Sequence, residues 1–259
     1  MTERPCAPAW QRGAAEPHQK LIARLQAVSG LSEKDRASLK SMPYTVKNLG
    51  KGDIVARPGD RPLSCSIVLS GFLCRQRTVY TRNQITSFYV PGDMPDLHVL
   101  HLPVMDRELC SVGSSTIASV PHSYLKTLLA GSAGLTNAFW RETLIQSEIH
   151  RQWVDNLGSR QALPRVAHVF CEMAARLESV GLYKQKSFDA PFTQETIAEA
   201  CGISLVHTNR TIQEMRRQSL IEWEGKTIEI LRRDQLETLA EFSPSYLHVL
   251  NPPRPVAAG

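Results

Sequence analysis

The sequence predicts an α+β chain with an N-terminal antiparallel β-roll (double-stranded, jelly-roll-like), a long helix and a C-terminal winged helix-turn-helix. Three observations predict this order. Short apolar segments alternate with glycine-containing turns from Tyr44 to Val120, apolar residues recur every three or four positions from Leu135 to Leu157, and a two-helix pattern around Gly202 precedes two short strands. The 259 residues suffice for two domains, each with its own core.

Composition places the chain among ordinary globular proteins. Hydrophobic residues make up 42% and charged residues 21%, no run of eighteen apolar residues occurs, and the N-terminus has no signal-peptide core. We therefore expect a cytoplasmic protein with no membrane partner. The six cysteines include no C-x-x-C pair or zinc spacing, so we predict reduced, mostly buried thiols and no metal. An iron–sulfur or redox-sensing role is the alternative, and it requires clustered thiolates or one exposed cysteine of low pKa.

The N-terminal half is predicted to contain a disordered tail over residues 1–19 and a sensor domain over residues 20–133. The tail is rich in proline and alanine. In the sensor domain, helices around Leu25 and Leu39 precede the strands, and P-G-D occurs twice, at Pro58–Asp60 and Pro91–Asp93. Proline followed by glycine suits a tight turn, and many short strands with such turns are typical of a roll or barrel.

A helix over residues 134–158 is predicted to join the two domains. Its apolar stripe, long enough for a dimer seam, could equally face the core of its own chain. We assign dimerisation to four members of this stripe: Phe139, Ile145, Ile149 and Trp153.

The most informative segment lies in the predicted C-terminal domain, residues 159–259. Thr193 and Ser204 suit the N-caps of two consecutive helices, and Gly202 suits the left-handed residue of the turn between them. The small residue Ala198 and the aliphatic residue Ile203 would let the helices cross closely, and the SLIEWEGKTIEIL segment would form the two strands of a wing. This arrangement predicts a helix-turn-helix that reads double-stranded DNA through the major groove.

The outward polar residues of the second helix have the chemistry for base recognition. Arg210 can donate twice to guanine, and Asn209 can bond to adenine. Leu205 and Val206 can touch a thymine methyl group, although either could be core instead. Predicted phosphate contacts are Thr193, Ser204, His207 and Lys226. The net charge of +5 is compatible with a polyanion, and basic residues cluster in the C-terminal third.

At this point the sequence resembles the Crp/Fnr family of bacterial transcription regulators. The segment TQETIAEACGISLVHTNRTIQEMRRQSLI is similar to the family's recognition unit, and LGKGDIVARPGDRPLSCSIVLSGFLCR is similar to its first roll strands. The resemblance covers residues 21–247. It implies a cyclic-nucleotide-binding-like roll, a dimerising helix and a winged helix. It further implies a homodimer that binds an inverted repeat in DNA, with RNA polymerase as a further possible partner.

The sequence departs from the family at the effector site. Members that bind cyclic AMP carry a G-E-L segment and a later Arg-Ser pair, and neither is present in PGDMPDLHVLHLPVMDRELCSVGSSTIASVP. A phosphodiester would need that arginine, so we expect no cyclic-nucleotide binding and assign no cofactor. Asp96, His98 and His101 are a candidate pocket for an unidentified effector. The alternative is that they are ordinary loop residues.

Two other function classes are alternatives to a DNA-binding regulator. An effector-sensing or scaffold protein could use its winged helix to contact protein rather than DNA, because the fold alone does not decide the partner. An enzyme is not expected, since the sequence has no Ser/His/Asp order, phosphate loop or H-E-x-x-H motif.

Overall fold

The computed structural model describes residues 17–250. Two helices come first, α1 (Pro17–Ser29) and α2 (Glu33–Lys40). Residues 17–19, predicted as part of the tail, are instead the first turn of α1, where the His18 ring bonds to the Met42 carbonyl over 3.0 Å. The remainder of that predicted tail lies outside the described residues.

Seven strands then form the predicted antiparallel roll. They are β1 (Thr45–Leu49), β2 (Ile54–Ala56), β3 (Ser64–Ser70), β4 (Leu73–Val79), β5 (Arg82–Tyr89), β6 (Glu108–Ser111) and β7 (Ser115–Pro121). One sheet has the order β1-β7-β3 and the other β2-β6-β4-β5, with antiparallel neighbours throughout. Both predicted P-G-D turns place their glycine in the left-handed region, Gly59 at φ 90° and Gly92 at φ 100°. At Gly92 a Cβ would lie 2.7 Å from the Lys20 carbonyl oxygen, so α1 packs closely there only against glycine.

The C-terminal part is helical with a small sheet. The helices are α3 (His122–Ala130), α4 (Ala133–Ser159), α5 (Ala162–Ser179), α6 (Gln194–Cys201), α7 (Leu205–Arg217) and α8 (Arg233–Ala240). The strands β8 (Ser187–Asp189), β9 (Ile221–Glu224) and β10 (Thr227–Ile230) form a sheet of order β8-β10-β9, so the predicted wing is present with an additional strand. Neither β8, which is only three residues long, nor α8, whose first turn is highly charged, was predicted from the sequence.

Two hydrophobic clusters share the long helix α4. Its N-terminal residues Leu135, Ala138 and Phe139 belong to the cluster that fills the roll and contacts α1 to α3. Farther along, α4 joins a cluster formed by the outer face of the four-stranded sheet and by the winged helix. The helix therefore contributes to both cores, and Gly158, the last residue of the predicted helix, lies within its last turn.

The predicted dimer seam on α4 is wrong for this structure. Phe139, Ile145, Ile149 and Trp153 are all buried within their own chain, so they are unavailable to a second copy. Periodicity correctly indicated one continuous apolar face, but what covers that face is the chain's own roll and winged helix.

A buried ionic cluster connects these parts. Arg176 on α5 donates through Nη2 to Asp93 after β5 (2.5 Å) and through Nη1 to Glu172 (3.2 Å) and to the Phe88 carbonyl (3.0 Å). Arg24 on α1 donates to Glu142 on α4 (3.0 Å). All five ionisable side chains are almost fully buried, so the ion pairs between the helices and the roll are shielded from water. The cluster therefore connects α1, the roll, α4 and α5.

Candidate nucleic-acid interface

The helix pair α6–α7 has the local geometry that the sequence predicts. The Thr193 hydroxyl accepts from the Thr196 N–H (3.1 Å), and the Ser204 hydroxyl accepts from the His207 N–H (3.2 Å), so both helices carry side-chain caps. Gly202 lies at φ 63°, the left-handed conformation that lets the chain reverse direction without a Cβ clash. These three residues fix where each helix begins and how α7 leaves α6.

One face of each helix is locked into the core. On α6 the buried residues include Ile197, Ala198 and Cys201, and on α7 they are Thr208, Thr211, Ile212 and Met215. The α7 residues recur every three or four positions, so the opposite face of that helix is left outward. Packing against α5 and α6 thus holds α7 in one orientation.

The outward face of α7 carries the residues predicted to read bases. Leu205, Val206, His207, Asn209 and Arg210 are all exposed. Because Leu205 and Val206 are more than half exposed, the alternative placing them in the core is wrong. The structure therefore brings all four predicted base-reading residues onto the first turn and a half of one exposed helix face.

Arg210 differs from the other two arginines of α7, Arg216 and Arg217, which both form ion pairs with residues of the described chain. Arg216 pairs with Glu222 (3.1 Å), and Arg217 pairs with Glu214 on its own helix. Within residues 17–250, no hydrogen bond or ion pair is recorded for the Arg210 guanidinium. Its charge is therefore the one on α7 available to an external acceptor.

Gln194 belongs to this face and was missed by the sequence analysis as a site residue. Its side-chain oxygen accepts from the Asn209 amide over 2.8 Å, which links the first turn of α6 to the outward face of α7. The spacing of fifteen residues spans two helices and a turn, so only the folded helix pair brings the two amides together.

The predicted phosphate contacts are distributed unevenly. Ser204 and His207 are exposed at the start of α7, beside its unpaired backbone N–H groups. Thr193 is half-buried, and its hydroxyl is occupied by the capping box with Thr196. Lys226 is exposed in the wing turn but also lines a cavity of about 810 Å³, whose walls come from the roll and the winged helix.

The three candidate effector residues are not equivalent. Asp96 is buried and accepts from the Ser66 N–H (2.7 Å), and burial raises the pKa of its carboxyl to about 6. His98 is half-buried beside Arg75 (3.4 Å), and burial followed by that cation lowers the pKa of the imidazole to about 4. His101 is exposed. The three side chains thus lie in different environments: one is buried, one is half-buried and one is exposed. None of them lines the 810 Å³ cavity.

The described chain offers neither a metal centre nor a membrane span. Residues 17–250 contain no cluster of three or more histidine, cysteine or carboxylate side chains placed to hold a metal ion. In the same residues, no helix has both the length and the apolar character needed to cross a bilayer.

Comparison with known proteins gives a consistent result. The Crp-like helix-turn-helix domain family matches residues 164–239. The transcriptional activator protein FnrA of Stutzerimonas stutzeri is 23% identical over 205 residues, covering 78% of this chain and 82% of that protein. The fumarate and nitrate reduction regulatory protein of Vibrio cholerae is 22% identical over 249 residues, covering 94% and 98%.

Solved structures show the same fold. FixK2 from Bradyrhizobium japonicum superposes with a TM-score of 0.69 at 20% identity, covering 76% of this chain and 98% of that one. A Thermus thermophilus regulator, TTHB099, superposes with a TM-score of 0.61 at 14% identity, covering 76% and 97%. Residues 164–239 thus match a Crp-like helix-turn-helix domain, and the chain as a whole is similar to Fnr-type transcription regulators in sequence and to FixK2 and TTHB099 in fold.

Proposed function

We propose that the protein binds an inverted repeat in DNA as a homodimer, with α7 of each copy in the major groove. The observation that carries this proposal is Arg210, an exposed guanidinium without a partner in the described chain, on a helix whose opposite face is locked into the core. Such a group can approach a base edge without first breaking an ion pair. In a two-fold dimer the half-sites would be centred about 34 Å apart along the duplex.

The exposed face of α7 suggests a division of roles. Arg210 donates to guanine O6 and N7, while Asn209, oriented by Gln194, bonds to an adenine or a phosphate. Leu205 and Val206 lie on the same exposed face, where an apolar side chain can contact a thymine methyl group.

Phosphate contacts would set the depth of α7 in the groove. Ser204 and His207 stand at the N-terminal end of the helix, where backbone N–H groups also attract an anion. Thr193 contributes through the N-terminus of α6 rather than through its occupied hydroxyl. Lys226 contributes from the wing turn.

The dimer would form through the exposed side of α4, opposite the buried stripe. Trp140 (63% exposed), Leu144 (50%) and Val154 (70%) lie on this side with Ser147 and Arg151. Their positions follow the alternating three- and four-residue spacing of a coiled-coil seam. A shallow groove bordered by Trp140 and α3 lies at the N-terminal end of the seam and offers room for a partner side chain. Three large exposed apolar residues at this spacing support a helix-to-helix contact between copies.

Regulation by an effector is part of the proposal. A ligand that favours one placement of the two α7 helices over another would change DNA affinity, because α4 contacts both the roll and the winged helix. Asp96, His98 and His101 stay the predicted effector residues, and contact with RNA polymerase stays a predicted interaction. The alternative of a winged helix that contacts protein is not favoured, since the relatives are named as transcription activators and regulators.

The Arg210→Ala variant tests the DNA-reading assignment. DNA selected from a random pool by the purified wild-type protein would supply the site, and fluorescence anisotropy would give the affinity for it and for single base-pair changes. We expect a loss of about 1–3 kcal/mol and relaxed preference at one base pair per half-site. Arg217→Ala removes the same charge two turns later and should leave base preference unchanged. Equal affinity and equal preference for Arg210→Ala and wild type would refute the assignment.

Two further measurements separate the remaining parts of the proposal. Wild-type binding should weaken steeply as the logarithm of salt concentration rises, whereas a winged helix specialised for protein would show no such DNA binding. Leu144→Asp should give a monomer by light scattering and lose affinity for the full inverted repeat. Leu63→Asp, at an exposed leucine of the roll, is the matched control and should remain dimeric. A dimeric Leu144→Asp protein would exclude the α4 seam.

A further inference from the structure

Two cysteines of the roll face each other across adjacent strands. Cys74 on β4 and Cys110 on β6 are directly opposite in the antiparallel register, and their sulfur atoms lie 3.4 Å apart. Opposite residues in such a pair have Cα atoms about 4.5–5.5 Å apart. This separation falls within the range of about 4.4–6.8 Å found for disulfides. The strands therefore already hold the two side chains in contact, and the sulfur atoms must approach by only about 1.4 Å to reach the S–S bond length of about 2.0 Å.

The thiol pair is also electronically asymmetric. The hydrogen bond between the two sulfur atoms, in which either thiol can donate, lowers the pKa of Cys110 and raises the pKa of Cys74. Burial and the nearby carboxylates of Glu108 and Glu199 oppose thiolate formation at both cysteines. Cys110 is thus the sulfur that more readily carries negative charge. The Cys74 thiol also lies 3.9 Å from the Gln76 side-chain oxygen, a second acceptor for its proton.

Helix α6 and a small polar cluster lie close to the pair. Gln84 on β5 donates to the Glu199 carbonyl on α6 over 2.8 Å, and Gln76 on β4 donates to Glu108 on β6 over 2.7 Å. Cys74 and Cys110 are 3% and 4% exposed, and they share an apolar cluster with Ala200 and Cys201 of α6. While α6 is docked on β5, bulky reagents therefore have little access to the two sulfur atoms. We expect a small neutral molecule to react with them more readily.

We propose that Cys74 and Cys110 form an oxidisable dithiol that small hydroperoxides convert to a disulfide, at a rate set by displacement of α6 from β5. The Cys110 thiolate attacks the peroxide oxygen, the O–O bond breaks, and the departing oxygen leaves with a proton as water or an alcohol. This gives a sulfenic acid on Cys110. The Cys74 sulfur then attacks the Cys110 sulfur, hydroxide leaves with the Cys74 proton as water, and the S–S bond forms. One peroxide is reduced and two thiols are oxidised.

The site is independent of the DNA-binding proposal but lies in the same structural unit. Helix α6 packs against α7, and the disulfide would add a covalent bond to the sheet face that supports α6. No sulfur–sulfur contact is recorded for Cys65, Cys171 or Cys201 within residues 17–250.

The test uses the reduced full-length protein without DNA, treated with hydrogen peroxide, alkylated after denaturation and analysed by intact mass and peptide mapping. We expect loss of two hydrogen atoms and a peptide joined through Cys74 and Cys110. Cys171→Ala is the matched control and should behave as wild type. Glutathione disulfide, being bulky, should react at least about tenfold more slowly. A disulfide to Cys6, or no disulfide below the peroxide level that oxidises methionine, would overturn the proposal.

Variants then separate the chemical and conformational steps. In Cys74→Ala, a dimedone adduct should form on Cys110, and in Cys110→Ala no adduct should form on Cys74. Gln84→Ala removes the contact with α6 and should speed disulfide formation by about three- to tenfold, the effect of losing one hydrogen bond from the docked state. Thr78→Ala, at an exposed position of β4, should leave the rate unchanged. Equal rates for Gln84→Ala and wild type would refute control by α6, and the wild-type peptide map decides the pairing even if a cysteine variant fails to fold.

Discussion

Replacing Arg176 with methionine should destabilise the fold far more than removal of a surface arginine. The Arg176 side chain is 1% exposed and makes three contacts of 2.5–3.2 Å, with Asp93, Glu172 and the Phe88 carbonyl. Methionine has a similar length but supplies no donor, so Asp93, Glu172 and the Phe88 carbonyl lose the bonds that Arg176 donates. Asp93 keeps only the Val90 N–H as a hydrogen-bond donor, and Glu172 keeps the Trp153 and Tyr246 donors, within the described residues. Breaking a buried ion pair from one side costs about 3–5 kcal/mol, and we expect a loss in the free energy of unfolding of this size.

The same variant should show a characteristic dependence on pH. Burial raises the pKa of both Asp93 and Glu172 above their ordinary values, and Arg176 is the largest influence opposing this rise. Without Arg176 both pKa values rise further, so the folded variant binds protons that the unfolded chain does not bind. Stability from these groups is present below the ordinary carboxyl pKa and is lost as pH rises through the folded-state pKa. The loss in the free energy of unfolding, relative to wild type, should therefore be larger at about pH 8 than at about pH 5.5.

Urea denaturation followed by circular dichroism and tryptophan fluorescence would measure the deficit, and coincidence of the two probes would justify a two-state treatment. Arg216→Met is the matched control, because Arg216 also pairs with a glutamate but is more than a third exposed. Its removal should cost less than about 1 kcal/mol. Equal costs for the two variants, or a deficit for Arg176→Met that does not change with pH, would refute the reasoning.

Three further predictions concern the helix pair and one buried imidazole. Ser204→Ala removes the α7 cap and should lower stability by about 1 kcal/mol in thermal denaturation while weakening binding to all DNA sequences alike; a change in base preference would contradict a purely capping and phosphate role. Gly202→Ala forces a Cβ into the left-handed region and should cost about 1–2 kcal/mol, and unchanged unfolding would show that the turn has another conformation. Burial lowers the pKa of His168 to about 4, so stability should fall as pH drops from the ordinary value of 6.5 toward 4; His168→Gln should flatten that part of the stability–pH curve.

The helix pair was predictable because its signals are local. The Thr193 and Ser204 caps and the left-handed Gly202 act within a few residues, so the sequence marks them directly. The outward direction of Arg210 follows once the first residue of α7 is known. The side-chain bond between Gln194 and Asn209 could not be predicted in the same way, since it depends on the angle between two helices.

The ionic cluster and the covering of α4 could not be read from the sequence. Asp93 and Arg176 are 83 residues apart, and nothing near either residue indicates the other. On α4, strong apolar periodicity pointed to the buried stripe, whereas the exposed side with Trp140 and Leu144 also carries serine and arginine and gives a weaker signal. Periodicity reports that a face is apolar, but it does not report which surface covers it.

The sharing of α4 between two cores has a mechanical consequence. A helix of 27 residues is about 40 Å long, and it is anchored by Phe139 in one core and by Trp153 in the other. Each residue rotates the helix by about 100°. One amino acid inserted between Phe139 and Trp153 would therefore turn one of these side chains out of its core while the other remained packed. The spacing between Phe139 and Trp153 therefore couples the two cores. A rotation of α4 about its axis at one anchor must be accompanied by the same rotation at the other.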